Sequence, residues 1–378
     1  MKPNKQLQVL YKNQLVGILA MTEDKKAAFE YADEWIRNGF SISPFSLPLE
    51  KKVFIPSKLH FGGLFGVFAD SLPDAWGNIL LNRLLKKNEV DSDKLSVLDR
   101  LAIVGNSGMG ALTYRPEMRM AHAAIELDLD KLAAQCQKIL TTTYHDNLDE
   151  LYQLGGTSGG ARPKIMTKID GEEWIIKFPA HIDGINSGQM EYIYAKCAKE
   201  CGIVMTETRL FSSDRCSGYF GTKRFDRMED EAGKNENRVH MCTAAALLEV
   251  DFSQPCLDYN ELMKLVKIMT GDNSFDVENM FRRMCFNVFA HNRDDHAKNF
   301  TYLYDEKNNR WCLSPAYDLT YSNTYYGEHT TSVNGNGKDP GNEELRLVGI
   351  KAGMSKKKCN EIIDEVQSCV KSRLNDYM

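Results

Sequence analysis

Between residues 277 and 289 the apolar side chains fall at Val277, Met280, Phe281, Met284, Cys285, Val288 and Phe289. This three-to-four spacing predicts a helix over Val277–Asn292 with one buried face. Ser187–Gly202 repeats the pattern through Met190, Ile193, Tyr194, Cys197, Ala198 and Cys201. Helices are also expected over Ala27–Asn38, closed by Gly39, and over Ser71–Lys87, with Pro73 in its first turn and Trp76, Ile79, Leu80 and Leu84 on one face. Asp93–Val104 and Leu127–Thr141 are two more.

Alternation predicts strands elsewhere. The first 20 residues alternate around Asn13-Gln14, a hairpin pattern, and Ala111–Tyr114 is a strand entered from the turn Gly105–Gly110. That turn lacks the Gly-Lys-[Ser/Thr] of a phosphate loop and precedes a strand, so it reads as a plain turn. Lys164–Ile169 and Glu173–Phe178 flank Asp170-Gly171, a strong hairpin signal. Arg209–Phe211, Gly218–Phe225, Phe300–Tyr304 and Trp311–Ser314 are further strands, and Glu229–Asn237 reads as a surface loop. The mixture is an α+β fold in three parts. Residues 1–150 form an α+β subdomain without chemistry of its own, 151–235 a unit with a glycine-rich segment and a lysine-bearing strand, and 236–378 a mainly helical unit.

A length of 378 residues suits two or three domains, and 43% hydrophobic with 26% charged residues is a globular balance. The formal charge of −5 argues against a dedicated nucleic-acid binder, which needs a basic surface. No apolar run approaches the roughly 20 residues of a membrane helix, and Lys12 and Asn13 break the apolar stretch a secretory signal would need. The ten cysteines include no Cys-x-x-Cys pair, and Cys197 and Cys201 are the closest two, so reduced thiols and a cytoplasmic location are expected.

The chemistry concentrates in two places. Leu154–Lys164 places four glycines, at 155, 156, 159 and 160, beside Thr157, Ser158, Arg162 and Lys164. Glycine lets backbone N–H groups approach an anion, and the hydroxyls and cations add donors and charge. A flexible linker is the plainer reading. Lys177 then interrupts an apolar strand, either as an edge lysine facing solvent or as a cation aimed at phosphate oxygens. Glu191, one residue off the apolar stripe of its helix, is the natural ion-pair partner for Lys177 if it is not merely an exposed glutamate. Glycine-rich loop, strand lysine and helix glutamate, in that order, are the ATP-clamping parts of a protein-kinase-like lobe. Lys223-Arg224-Phe225-Asp226-Arg227 would connect that lobe to the next, where an adenine could meet backbone groups near Lys223 and Phe225.

The second place is Asn292-Arg293-Asp294-Asp295-His296-Ala297-Lys298-Asn299. A kinase catalytic loop needs an aspartate to accept the substrate hydroxyl proton and an asparagine five residues on to hold magnesium. Asp294 and Asn299 have that spacing, and Asp318 follows across a short hairpin where a second magnesium-binding aspartate belongs. A metallohydrolase site from His291, Asp294, Asp295 and His296 competes with this reading, as does a charged solvent-facing loop. His296 is otherwise expected to be a structural residue that hydrogen-bonds the loop.

Together, Asp294–Phe300, Gly160-Ala161-Arg162-Pro163-Lys164, Trp174–Pro179, Lys223–Arg227, Ser314–Asp318 and Leu72-Pro73-Asp74-Ala75-Trp76-Gly77 resemble the HipA family, the serine/threonine kinase toxins of bacterial type II toxin–antitoxin modules. The resemblance spans nearly the whole chain. It implies a two-lobed protein-kinase-like fold, with the N-terminal α+β extension fused to the N-lobe, that binds ATP and Mg2+. It implies Asp294 as the catalytic base, Asn299 and Asp318 as magnesium ligands, and Lys177, Gly159, Gly160, Lys164, Glu191, Lys223 and Phe225 around ATP. The loop that some members autophosphorylate falls at Thr157–Gly160, with Thr157 at the family's serine position and Ser158 beside it. The implied partners are a protein substrate in translation, such as an aminoacyl-tRNA synthetase, and a small DNA-binding antitoxin, with DNA reached only through the antitoxin and no membrane. A small-molecule or lipid kinase of similar fold, and an inactive scaffold that binds a repressor, are the alternatives.

Overall fold

The structure, a computed structural model, describes residues 3–59, 61–120, 127–142, 147–180, 182–229, 236–324 and 326–377. The chain divides into two compact units, one of residues 1–186, 211–242 and 246–249, the other of 187–210, 243–245 and 250–378.

The first unit opens with β1 (Gln6–Tyr11), β2 (Gln14–Met21) and β3 (Ala27–Tyr31), then α1 (Asp33–Asn38), β4 (Val53–Phe54), α2 (Gly66–Ala69), α3 (Ala75–Lys87), α4 (Val97–Val104) and β5 (Leu112–Arg115). The five strands form an antiparallel sheet in the order β4-β3-β2-β1-β5. Lys12 and Asn13 both take positive φ between β1 and β2, the geometry of a tight hairpin turn. The helix expected over Ala27–Asn38 is a correction: its first five residues are β3. Phe29 and Tyr31 face inward around an exposed Glu30, and pairing with β2 from Ala27 opposite Met21 to Tyr31 opposite Gly17 supplies the backbone bonds. Gly17 permits this, since a Cβ there would lie 2.2 Å from the Glu30 carbonyl and 2.6 Å from the Phe29 ring. The expected helix 93–104 is also shorter. Ser92–Lys94 is a 3-10 turn, and α4 begins after Ser96, whose hydroxyl and Asp99 form a reciprocal cap.

The unit continues with α5 (Leu129–Thr141), α6 (Leu148–Gly155), β6 (Lys164–Ile169) and β7 (Glu172–Lys177). After α7 (Ser187–Glu200) and most of β8 (Thr208–Phe211), which group with the second unit, it resumes through β9 (Tyr219–Lys223), β10 (Arg227–Glu229) and β11 (Glu236–Arg238). β10 and β11 pair antiparallel, and residues 230–235 of the expected surface loop lie outside the described residues. One core runs across residue 150: Trp76, Leu80 and Leu84 of α3, Leu132, Cys136 and Ile139 of α5 and Leu148 and Leu151 of α6 enclose Ile165, Trp174, Ile176 and Tyr219. Each such side chain stabilises the fold by about 1.5–3 kcal/mol when fully buried.

Past β12 (Met241–Thr243) and α8 (Ala244–Leu248), the second unit contains β13 (Leu257–Asp258), α9 (Tyr259–Thr270), α10 (Ser274–Phe289), β14 (Thr301–Asp305), β15 (Arg310–Leu313), β16 (Thr331–Ser332), α11 (Asn342–Lys351) and α12 (Lys356–Leu374). α9 to α12 share a core of Leu262, Val266, Met280, Phe281, Met284, Val348, Ile362 and Val366, all with negligible exposure. β14 and β15 form the expected hairpin, Tyr302 opposite Leu313. With helices and strands mixed as the sequence predicts, the fold is α+β.

Candidate active site

In the first unit, β6 and β7 pair with Lys164 opposite Lys177, joined by Asp170 and Gly171, both at positive φ. Strand alternation sends Ile165, Trp174 and Ile176 into the core and leaves Lys164, Met166, Ile175 and Lys177 on the other face. Thr222, opposite Ile175 on β9, joins them. Lys177 is half-buried, its Nζ 5.7 Å from the Phe220 ring centroid. Lys223 sits opposite Trp174, hence on the other side of the sheet from Lys177, and pairs with Glu172. Phe225 follows, half-buried.

The glycine-rich segment is not a free loop. Gly155 ends α6, where a Cβ would come 2.3 Å from the Lys164 carbonyl. Thr157 and Ser158 turn inward, at 5% and 0% exposure. The Thr157 hydroxyl donates to the Ser107 carbonyl at 2.8 Å and the Ser158 hydroxyl to the Gly155 carbonyl at 2.7 Å. Gly159 lies beside Asp74, and the Gly160 N–H donates to Asp74 Oδ2 at 2.9 Å. Gly160 has φ +84°, and a Cβ there would stand 2.5 Å from Lys164 Nζ, so the absent side chain lets the buried ammonium rest on the backbone. Arg162 grips Asp183 through two bonds of 3.0 Å.

Behind this segment, the turn Gly105–Gly110 is clamped. The buried Asp226 carboxylate accepts from Arg224 at 2.9 and 2.8 Å, from Arg227 at 2.6 Å and from the Gly110 N–H at 2.8 Å. Arg227 also donates to the Gly108 and Gly110 carbonyls, each at 2.9 Å. Burial would raise the Asp226 pKa, but the charges of Arg224 and Arg227 hold it well below the usual carboxylate range.

In the second unit, the loop between α10 and β14 hangs on Asp295, which is fully buried. Its carboxylate accepts from the Tyr259 hydroxyl at 2.9 Å and the Thr331 N–H at 3.1 Å, and Oδ2 lies 3.0 Å from His329 Nδ1. Burial, then the Asp295 charge, pushes the Tyr259 phenol far up and keeps it a donor. Asn287 donates to Tyr259 at 2.8 Å and accepts from Asn292 at 2.9 Å. Arg283, wholly buried on α10, donates to the Ser314 carbonyl, and burial lowers its pKa to about 10. Against this backing, Asp294 is exposed. Asn299 Nδ2 donates to the Asp294 carbonyl at 2.8 Å, which turns the amide oxygen away from it. Asp318, half-buried, takes φ +54°, and its carbonyl lies 3.4 Å from Asn292 Nδ2. Glu191 on α7 groups with this unit and is buried, not the exposed helix glutamate of the plainer reading.

The oxygen donors of Asn299 and Asp318 fit a hard cation such as magnesium, and the ammonium of Lys164 against Gly160 fits a phosphate. A metallohydrolase cluster does not fit. Among the described residues, the group of three or more His, Cys, Asp or Glu with converging ligand atoms is Cys197, Cys201 and Cys369, while Asp295 is spent on Tyr259, Thr331 and His329. His296 packs its ring on Phe252 at 5.4 Å, and its carbonyl accepts from the Asn299 N–H at 2.9 Å.

Residues 7–115 match the HipA N-terminal domain and residues 156–374 the HipA-like C-terminal domain. The chain belongs to the HipA family. Every candidate residue named above from Thr157 to Asp318 lies within the second match. Two Sinorhizobium fredii (strain NBRC 101917 / NGR234) proteins are similar to it. "Putative kinase Y4dM" is 28% identical over 179 residues, 43% of this chain and 41% of that protein's length. "Putative kinase Y4mE" is 24% identical over 342 residues, 84% of this chain and 78% of its own. Among solved structures, the Shewanella oneidensis MR-1 complex of HipA, HipB and operator DNA aligns with a TM-score of 0.73 at 16% identity, covering 98% of this chain and 90% of that one. The HipA-type α+β fold expected from the sequence is the fold observed. No helix among the described residues is long and apolar enough to cross a membrane.

Sequence reasoning missed the anchors. Asp295 appeared only as a candidate metal ligand, and Tyr259, His329, Thr331, Asn287 and Arg283 not at all, because Tyr259, His329 and Thr331 reach Asp295 from 34 to 36 residues away, and Asn287 and Arg283 bond groups 28 and 31 residues from themselves, separations that spacing does not connect. Arg224, Asp226 and Arg227 were read as a connection between lobes, whereas their side chains bind a turn more than 110 residues earlier.

Proposed function

We propose that this HipA-family chain is an ATP- and Mg2+-dependent protein serine/threonine kinase acting as the toxin of a toxin–antitoxin module. The observation that carries the reading is the loop in which buried Asp295 is tied on several sides while its neighbour Asp294 stays exposed, with the Asn299 amide fastened to the Asp294 carbonyl. A carboxylate so presented can accept a proton from an incoming hydroxyl. Asn299 and Asp318 would hold magnesium, and Lys177, Lys164, Gly159 and Gly160 would face the phosphates. Bound ATP supplies the phosphoryl group, and magnesium neutralises its charge. Glu191 would belong to the ATP-binding set, and backbone groups near Lys223 and Phe225 would meet the adenine. The acceptor would be a component of translation, such as an aminoacyl-tRNA synthetase. A small HipB-like antitoxin would carry the contact with DNA, and the chain would work in the cytoplasm. Thr157 or Ser158 would be the autophosphorylation site. A phosphate there adds about −1.5 to −2 charge and cannot remain where the two hydroxyls now sit, so it would displace the segment and inactivate the enzyme.

Incubation with γ-labelled ATP, magnesium and host lysate tests this. One labelled protein band is expected, absent without magnesium. Label in a metabolite or lipid would favour a small-molecule kinase, and no label at all a repressor-binding scaffold.

A further inference from the structure

Cys197 lies in the last turn of α7 and Cys201 just past its end, its N–H donating to the Cys197 carbonyl at 2.9 Å, so the two share a face, and Cys369 reaches them from α12. Their three sulfur atoms lie within 4.8 Å of one another. Cys197 and Cys201 are buried and Cys369 half-buried. The backbone holding them is fixed. Gly202, at φ +75°, closes the helix, and Arg282 donates to the Cys201 carbonyl at 3.0 Å. The Cys369 thiol lies 3.9 Å from the Cys197 carbonyl. None of these residues belongs to the proposed kinase machinery.

We propose that Cys197, Cys201 and Cys369 form a three-thiolate site for a soft d10 monocation, copper(I). Thiolates select copper(I) or zinc over hard cations. Sulfurs about 2.3 Å from an ion at the centre of a triangle stand about 4 Å apart, so a contraction of less than an ångström closes the site. Zinc takes four ligands in such sites, and no fourth His, Cys, Asp or Glu joins the set among the described residues. Copper(I) accepts three. The charge of a three-thiolate complex is partly offset by Arg373, one turn beyond Cys369, which also pairs with Glu200 at 2.6 Å. Binding is ligand exchange without redox: each coordinating thiol releases its proton to solvent, and copper remains +1. If these cysteines are only small apolar fillers between helices, as buried cysteines often are, copper(I) finds no such site.

The test titrates the full reduced chain, without oxygen, with copper(I) held by bicinchoninate. The expected result is withdrawal of one equivalent, retained in Cys256→Ser, which removes an exposed thiol elsewhere, and lost in Cys197→Ser and Cys369→Ser. X-ray absorption on the loaded protein should report three sulfur ligands. Cys369 is half-exposed, so Cys369→Ser decides the matter if Cys197→Ser does not fold. No withdrawal by the wild type, withdrawal that persists in a folded Cys369→Ser chain, or zinc displacing copper at one equivalent would each overturn the proposal.

Discussion

Ser158 and Asp295 are both completely buried polar residues within stretches that carry candidate chemistry, but they are held in different ways. Asp295 is bound by groups 36 residues away on either side, the Tyr259 hydroxyl and the Thr331 N–H, with His329 against the same carboxylate. Ser158 makes a bond to Gly155, three residues back. Breaking the first arrangement strands several buried groups at about 1–3 kcal/mol each, whereas releasing the second forfeits about 1 kcal/mol. One stretch is therefore cross-linked through a single buried carboxylate, and the other is held by separate single bonds, from Ser158 to Gly155, from Thr157 to Ser107 and from Gly160 to Asp74. In the proposed kinase, the Asp294 loop is preorganised, and the glycine-rich segment is the part that can be moved by a ligand or a phosphate.

The sharpest test of the fixed stretch is Asp294→Ala. Its side chain is exposed, so stability should largely hold and ATP should still bind. Phosphoryl transfer should fall by roughly 10² to 10⁴, the usual weight of a general base. Labelling rates beside nucleotide titration check this, and wild-type labelling would remove Asp294 from the chemistry.

Asp226→Ala probes the platform behind the glycine-rich stretch. The substitution leaves two buried guanidinium groups without their carboxylate, a loss of about 3–5 kcal/mol in denaturant unfolding. The clamp also fixes a pH dependence. Because the folded pKa of Asp226 is depressed, its contribution is complete above the ordinary carboxylate range near pH 4 and declines as pH falls below it. Acid unfolding of the wild type should therefore be steeper than that of Asp226→Ala. Equal steepness would show that the clamp contributes little.

Asp295→Asn should cost less, about 1–3 kcal/mol, because the amide keeps one acceptor and misplaces a donor among Tyr259, His329 and Thr331. Labelling should fall with it even though Asp294 is intact. A variant that loses stability but labels at the wild-type rate would show that the loop does not depend on this anchor.

These anchors mark the limit of what the sequence discloses. The apolar stripes of α7 and α10, the Asp170-Gly171 turn and the β14–β15 hairpin are local patterns, and all stand where spacing puts them. Ala27–Tyr31 misleads because its alternation is short and its strand partner, β2, decides the outcome. The spacing of Asp294, Asn299 and Asp318 is readable in one dimension. The inward turn of Thr157 and Ser158 is not, since it depends on a carbonyl 50 residues earlier and on the end of α6. A run of glycines announces freedom of the backbone without saying whether the fold uses it for motion or for close packing.

The smallest expected effect separates those two uses. Thr157→Val and Ser158→Ala each delete one hydroxyl donor, to Ser107 and Gly155 respectively, at about 0.5–1.5 kcal/mol. That corresponds to a roughly two- to tenfold rise in the population with the segment released. Thr157→Val should do more, because its lost bond crosses to the clamped turn at Gly105–Gly110, while Ser158 only ties the segment to its own helix end. Hydrogen exchange of the amides from 156 to 164 reads the change directly and should leave the amides of β14 and β15 unaltered. If neither substitution speeds exchange, glycine packing against Lys164 and Trp76 holds the segment by itself, and the glycine-rich stretch is as firmly held in its unit as the Asp294 loop is in the other.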